Sequence, residues 1–205
     1  MVKEKEAPIY DFVYALSEAI DLVSPVINSH HRKVAYVSYR IAHEMQLPAN
    51  EIQDIVLAAM LYDRLGYKLL KGFTPLARAA RLIKHHNIDY EKSSYNIPMG
   101  SCIIHLADQV CALFDEQSEI LNQVPYVLEK IAEKNHKFHP DALISFGRLA
   151  KQEGFWLEVF SQENVVSKKN HSSARAPVFC EGSGISLFLS LYLWLRSRGK
   201  NAFLK

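Results

Sequence analysis

Apolar residues stand three and four apart in stretch after stretch of this chain, and nowhere do they alternate convincingly over the length of a strand. That spacing lines one face of an α-helix, so a chain built of it must pack helices on helices. Phe12, Val13, Leu16, Ile20 and Val23 make the first such stripe, over Ile9–Val23, with Pro25 closing it. Val34, Val37, Ile41 and Met45 make a second that starts after Asn28-Ser29 and stops at Leu47-Pro48. Asn50 reads as the N-cap of a third, with Glu51 and Asp54 in its first turn, Ile52, Ile55, Val56, Ala59 and Met60 on its stripe, and an end toward Gly66. Thr74-Pro75 opens a fourth helix, which ends on His85 and His86. Pro98 opens a fifth through Ile103, Ala107, Val110 and Phe114. Pro125 interrupts the segment after it, and Pro140 starts a helix from Asp141 to about Lys151. The expected fold is all-α, a bundle of roughly six to eight helices.

Composition supports a folded chain. Hydrophobic residues are 49% of the 205 and charged residues 22%, with only 8 Gly and 8 Pro, which excludes collagen-like and largely disordered material. Cys102, Cys111 and Cys180 are too few and too scattered for a disulfide framework or a paired-cysteine zinc site, which points to a reducing compartment, the cytoplasm. The first twelve residues carry both charge signs and no apolar core, unlike a signal peptide.

The net charge of +2 is unevenly placed. Residues 1–164 hold 17 Lys and Arg against 21 Asp and Glu, whereas residues 165–205 hold 7 against 1. An acidic globular part lacks the basic footprint of a nucleic-acid binder, so that partner class is set aside. The expected division is a helical domain over 8–160 and a basic, partly apolar tail over 161–205. Within the tail, the twelve residues from Gly184 to Leu195 are almost wholly apolar, too few to span a bilayer. Arg196, Arg198 and Lys200 follow at once, the pattern of a peripheral membrane helix, although a docked helix or an unstructured tail is the plainer expectation.

Four stretches carry candidate chemistry: HHRKVAYVSYRIAHEM from His30, LAAMLYDRLG around Asp63, LIKHHNIDY with His85 and His86, and IPMGSCIIHLADQV with Asp108. In their order and helical placement they resemble the HD superfamily of metal-dependent phosphohydrolases, and within it the HD-GYP branch. The later stretch PYVLEKIAEKNHKFHPDALISFG resembles the end of that domain, so the likeness spans about residues 10–160. It implies an HD-like helical bundle, with His30, Asp63, His85, His86 and Asp108 as metal ligands and Asp63 as the catalytic one. It further implies one or two divalent transition ions (Mn, Fe, Ni or Zn), and cyclic di-GMP or another phosphoester as substrate. Homodimers or output domains of larger sensors are the implied assemblies. Imidazole and carboxylate suit such ions, and a metal pair can generate a hydroxide and clamp an in-line attack on phosphorus.

Departures from that pattern bear on activity. Tyr62 stands where the family pairs a His with the Asp, and a phenol with a pKa near 10 replaces a neutral imidazole poorly at pH 7. No His lies between Asp63 and His85, and the GYP loop after His86 is replaced by the shorter NIDYEKSSYN. Hydrolysis is therefore expected to be impaired or lost. A non-catalytic helical module that binds a nucleotide or a protein, and a truncated gene product, are the alternatives.

Single residues also have structural readings. Protonated His85 and His86 would be favoured at a helix C-terminus without any function, whereas Asp63 at such an end is disfavoured and needs a partner. Asp108 sits in an otherwise apolar helix. His105, one turn earlier, supports the ligands or packs in the core, and Tyr62 likewise stands behind them. His31 is expected to face solvent, His136 and His139 to belong to a loop and a helix start, and Cys102 and Cys111 to fill core. His43 or Glu44 could stand in for a missing ligand.

Overall fold

The computed structural model describes residues 25–62, 67, 70, 76–92 and 96–161. These carry seven α-helices, two short 3-10 turns and, among the described residues, no strand, as the helical spacing requires. The helices are α1 (Pro25–Glu44), α2 (Ala49–Met60), α3 (Ala77–His85), α4 (Met99–Ala112), α5 (Ile120–Glu133), α6 (Pro140–Leu149) and α7 (Glu153–Ser161). Ser29–Phe160 forms one compact unit. The expected helix over Ile9–Val23, Asp63, Gly66, the Thr74-Pro75 start, Cys180 and the tail beyond Ser161 lie outside the described residues.

Several boundaries differ from expectation for local reasons. Pro25 is the first residue of α1, where its missing N–H costs nothing, so His30 lies more than a turn inside the helix instead of at its start. α1 ends at Glu44, just before the expected stop at Leu47-Pro48, through a Schellman motif. Gln46 takes φ 56°, its N–H bonds the His43 carbonyl at 2.9 Å, and the Leu47 N–H bonds the Ala42 carbonyl at 3.1 Å. Asn50 is not the cap of α2. Pro48 is, its carbonyl accepting from the N–H groups of Glu51 and Ile52 at 2.9 and 3.0 Å. α2 ends at Met60, short of Gly66, because Leu61 leaves helical geometry (φ −133°, ψ 25°) and turns with Tyr62 into the core.

Pro125 does not interrupt its segment. It lies inside α5 on the exposed face, where it removes one early backbone bond that the rest of the helix outlasts. α6 ends at Leu149, two residues before expectation. α7 is a helix the spacing analysis leaves out. It buries Phe155, Trp156 and Val159, and the Trp156 ring centroid stands 4.9, 5.3 and 6.0 Å from those of Phe155, Phe114 and Phe146. Aromatic rings at such distances add to what their burial alone supplies. The Trp156 indole N–H is not orphaned, since it bonds the Ala150 carbonyl at 3.0 Å.

Two groups of contacts hold the helices that carry candidate site residues. On α1, the Tyr36 hydroxyl bonds Glu158 of α7, and Arg40 bonds the same hydroxyl at 2.8 Å. Lys33, 1% exposed, pairs with Glu116 and lies 5.0 Å over the Phe160 ring. At the start of α4, Gly100 lets the backbone approach α2 and α3. A Cβ there would stand 2.7 Å from Ile55 Cγ1 and 2.9 Å from Leu82 Cδ1. The adjacent Ser101 hydroxyl donates to the Leu82 carbonyl at 2.9 Å, seating α4 against the end of α3 that leads to His86.

Candidate functional site

Candidate ligands from three helices lie around the Tyr62 side chain. His30 comes from α1, His86 caps the C-terminus of α3, and Asp108 lies in the last turns of α4. His30 Nε2 is 2.8 Å from Asp108 Oδ1, and the Tyr62 hydroxyl donates to the same oxygen at 2.6 Å. Tyr62 is the hub. Its ring centroid lies 4.6 Å from that of His31, 5.1 Å from His86 in an edge-on arrangement, and 6.4 Å from His30.

Each member owes its place to a local cause. Asp108 sits between Ala107 and Val110, both buried, so its carboxylate cannot swing fully into water, and its side chain is 19% exposed. Burial alone would push its pKa up. The hydrogen bonds from His30 and Tyr62, with the charges of His30 and His86, outweigh that and hold the carboxyl below its ordinary value, so Asp108 is an anion at neutral pH. His86 Nδ1 lies 2.6 Å from the Ile83 carbonyl. A carbonyl only accepts, so Nδ1 is the donor in that bond and Nε2 is the nitrogen left away from it.

His31, expected in solvent, is buried against Tyr62. No neighbour in sequence distinguishes it from His30. His85 ends α3 half-exposed beside Lys84 and Arg81, and burial followed by those two cations lowers its pKa. No contact ties His85 to Tyr62 or Asp108 as one ties His86. His105 is buried with its ring 5.4 Å from Phe138, and neither ring nitrogen has a hydrogen-bond partner. It supports none of the candidate ligands by hydrogen bonding. Its Nε2 stands 3.5 Å from Asp89 Oδ1, whose other oxygen is 3.4 Å from Lys137 Nζ. Burial lowers the His105 pKa, and His86 and Lys137 add to that against the upward pull of Asp89 and Asp108. Asp63, the expected catalytic ligand, lies outside the described residues.

The remaining candidates fall elsewhere. His43 is exposed beside Tyr39, and Glu44 pairs with Arg148, so neither stands in for a ligand. His136 lies in a 3-10 turn, and His139 caps α6 by accepting the Asp141 N–H at 3.2 Å, as expected of a loop and a helix start. Cys102 and Cys111 are buried core thiols, and burial pushes Cys102 up to about 11 and Cys111 higher. Neither is a nucleophile at neutral pH.

Two donors bound to one ion at about 2.1 Å and a right angle stand about 3 Å apart, so the His30–Asp108 separation suits a shared ion as well as a hydrogen bond. Beyond that pair the fit is incomplete. Among the described residues no three His, Cys, Asp or Glu side chains come together to hold a metal ion, so those residues do not make up a two-metal centre. No helix among them is long and apolar enough to cross a membrane. Compared with family models, with curated proteins and with solved structures, the chain matches none.

Proposed function

We propose that this chain is a cytoplasmic helical domain of the HD-GYP lineage in which two-metal hydrolysis of cyclic di-GMP, or of another phosphoester, is impaired or lost. The observation that supports it is the Tyr62 hydroxyl on Asp108 Oδ1 at 2.6 Å. A two-metal hydrolase needs deprotonated ligands that leave metal-bridging positions open to water. Here a phenol hydroxyl donates to the Asp108 oxygen that also faces His30, in place of the imidazole the resemblance expects. His30, His86 and Asp108 remain grouped, which suits an ancestral ligand set retained as a polar core of the domain. In this reading the site holds at most one ion, and the chain acts by binding a nucleotide or a partner, a second copy of itself included.

The test is turnover. Full-length protein loaded in turn with Mn, Fe, Ni and Zn is expected to leave cyclic di-GMP and a chromogenic phosphodiester intact. Turnover that depends on metal and disappears with Asp108→Asn would overturn the proposal.

A further inference from the structure

Away from the Tyr62 cluster, the N-terminal turns of α2 and α4 and one side of α3 surround a cavity of about 580 Å³, a size that suits a small molecule. None of His30, Tyr62, His86 and Asp108 lines it. α2 contributes Glu51 and Asp54 and α3 contributes Arg78 and Arg81, so the described lining carries two cations, two anions and no net charge. These charges do not satisfy one another. Arg78 Nη1 stands 3.6 Å from Asp54 Oδ2, beyond a hydrogen bond, and among the described residues neither Arg81 nor Glu51 has an ion-pair partner. Burial outweighs Arg78 and pushes the Asp54 carboxyl up, the mark of a carboxylate whose one neighbouring cation under-compensates it. Ile97 and Met99, both half-buried, add apolar surface beside these groups.

We propose that this cavity binds one free α-amino acid with an apolar side chain, its carboxylate on Arg81 and Arg78, its ammonium on Glu51 and Asp54, and its side chain against Ile97 and Met99. The inference goes beyond the functional reading and does not rest on it, because it uses no residue of the Tyr62 cluster. Balance of charge selects the ligand class. A phosphate dianion would gain two guanidiniums but would be set against two carboxylates, and a diamine would meet the reverse. A zwitterion places each of its charges on the opposite one, and hydrogen bonds between ions are the stronger kind. The Arg78 side chain is 72% exposed, so it turns from Asp54 to the incoming carboxylate at little cost. Met99 opens α4, and the N–H at that first helical position has no acceptor within the helix, which gives the same carboxylate a further donor.

Isothermal titration calorimetry of the full-length protein with leucine, methionine and phenylalanine tests this. Saturable binding of at least one of the three, at one ligand per chain, is expected. Its methyl ester and its N-acetyl derivative, each lacking one charge, are expected to bind at least about tenfold more weakly, as is the amino acid itself to Arg81→Gln and to Glu51→Gln. Both side chains are exposed, so circular dichroism should show each variant folded like the unaltered protein. No binding by any of the three, a derivative that binds as well as its parent, or undiminished binding to either variant would each overturn the assignment. So would binding that survives Arg81→Gln and is lost with Asp108→Asn, which would place the ligand at the Tyr62 cluster. Metal-dependent turnover of cyclic di-GMP would instead refute the proposed function and leave the amino-acid result standing.

Discussion

Asp108 concentrates the physics of this molecule at the scale of one residue. Its carboxylate is partly buried, which is costly, and it is kept charged by two donors on one oxygen. A hydrogen bond to a charged group contributes more than a neutral one, so Tyr62→Phe is expected to cost about 1–2 kcal/mol at pH 7 in urea unfolding. The unfolded carboxyl titrates at its ordinary 3.8 and the folded one lower, so its contribution is complete above 3.8 and is lost as pH falls through the folded value. The deficit of Tyr62→Phe should shrink over that range, and a deficit unchanged at pH 3 would contradict the assigned charge. His105 runs the other way for an imidazole. Its folded pKa lies below the ordinary 6.5, so the unfolded chain takes the proton first and stability declines as pH drops from 6.5. Because its nitrogens have no hydrogen-bond partner, His105→Leu should be no less stable at pH 7 and should flatten that decline between pH 6.5 and 5. The motif order made His30, His86 and Asp108 legible as a group. It could not show that Tyr62 bonds Asp108 directly or that His31 is buried, because both depend on how α1 rotates against the end of α2.

At the scale of elements, spacing exposed most helices and local chemistry moved their ends. Proline is expected to stop a helix at 25 and to break one at 125, yet at 25 it starts a helix and at 125 it sits within one. The first places its missing N–H where no bond is due. The second gives up a single bond on a solvated face. α7 gives little periodic signal because nine residues with Phe155, Trp156 and Val159 make too short a stripe, although Glu153 in its first turn marks a helix start. Close approach of α4 to α2 and α3 depends on Gly100, a residue that periodicity passes over. Gly100→Ala improves helix propensity by up to about 1 kcal/mol but drives a methyl into Ile55 and Leu82, so a net loss of about 1–2 kcal/mol is expected from overpacking. Thermal or urea unfolding checks this, and a stabilised variant would show that α4 can retreat without cost.

For the whole molecule, the all-α architecture followed from periodicity because helix packing is what such stripes permit. The site did not follow in the same way. Candidate ligands from helices far apart in sequence meet only in the folded chain, where His30 and Tyr62 share one oxygen of Asp108. Lys33, Tyr36 and Arg40 anchor α1 through Glu116 and Glu158, so the position of His30 is set by contacts remote from the site. Tyr62, by contrast, comes from the segment after α2, outside any helix. The metal content of full-length protein, purified without chelator and with oxygen excluded, tests the account most directly. One ion per chain or fewer is the predicted result, and two ions per chain would show a rebuilt two-metal site and contradict it.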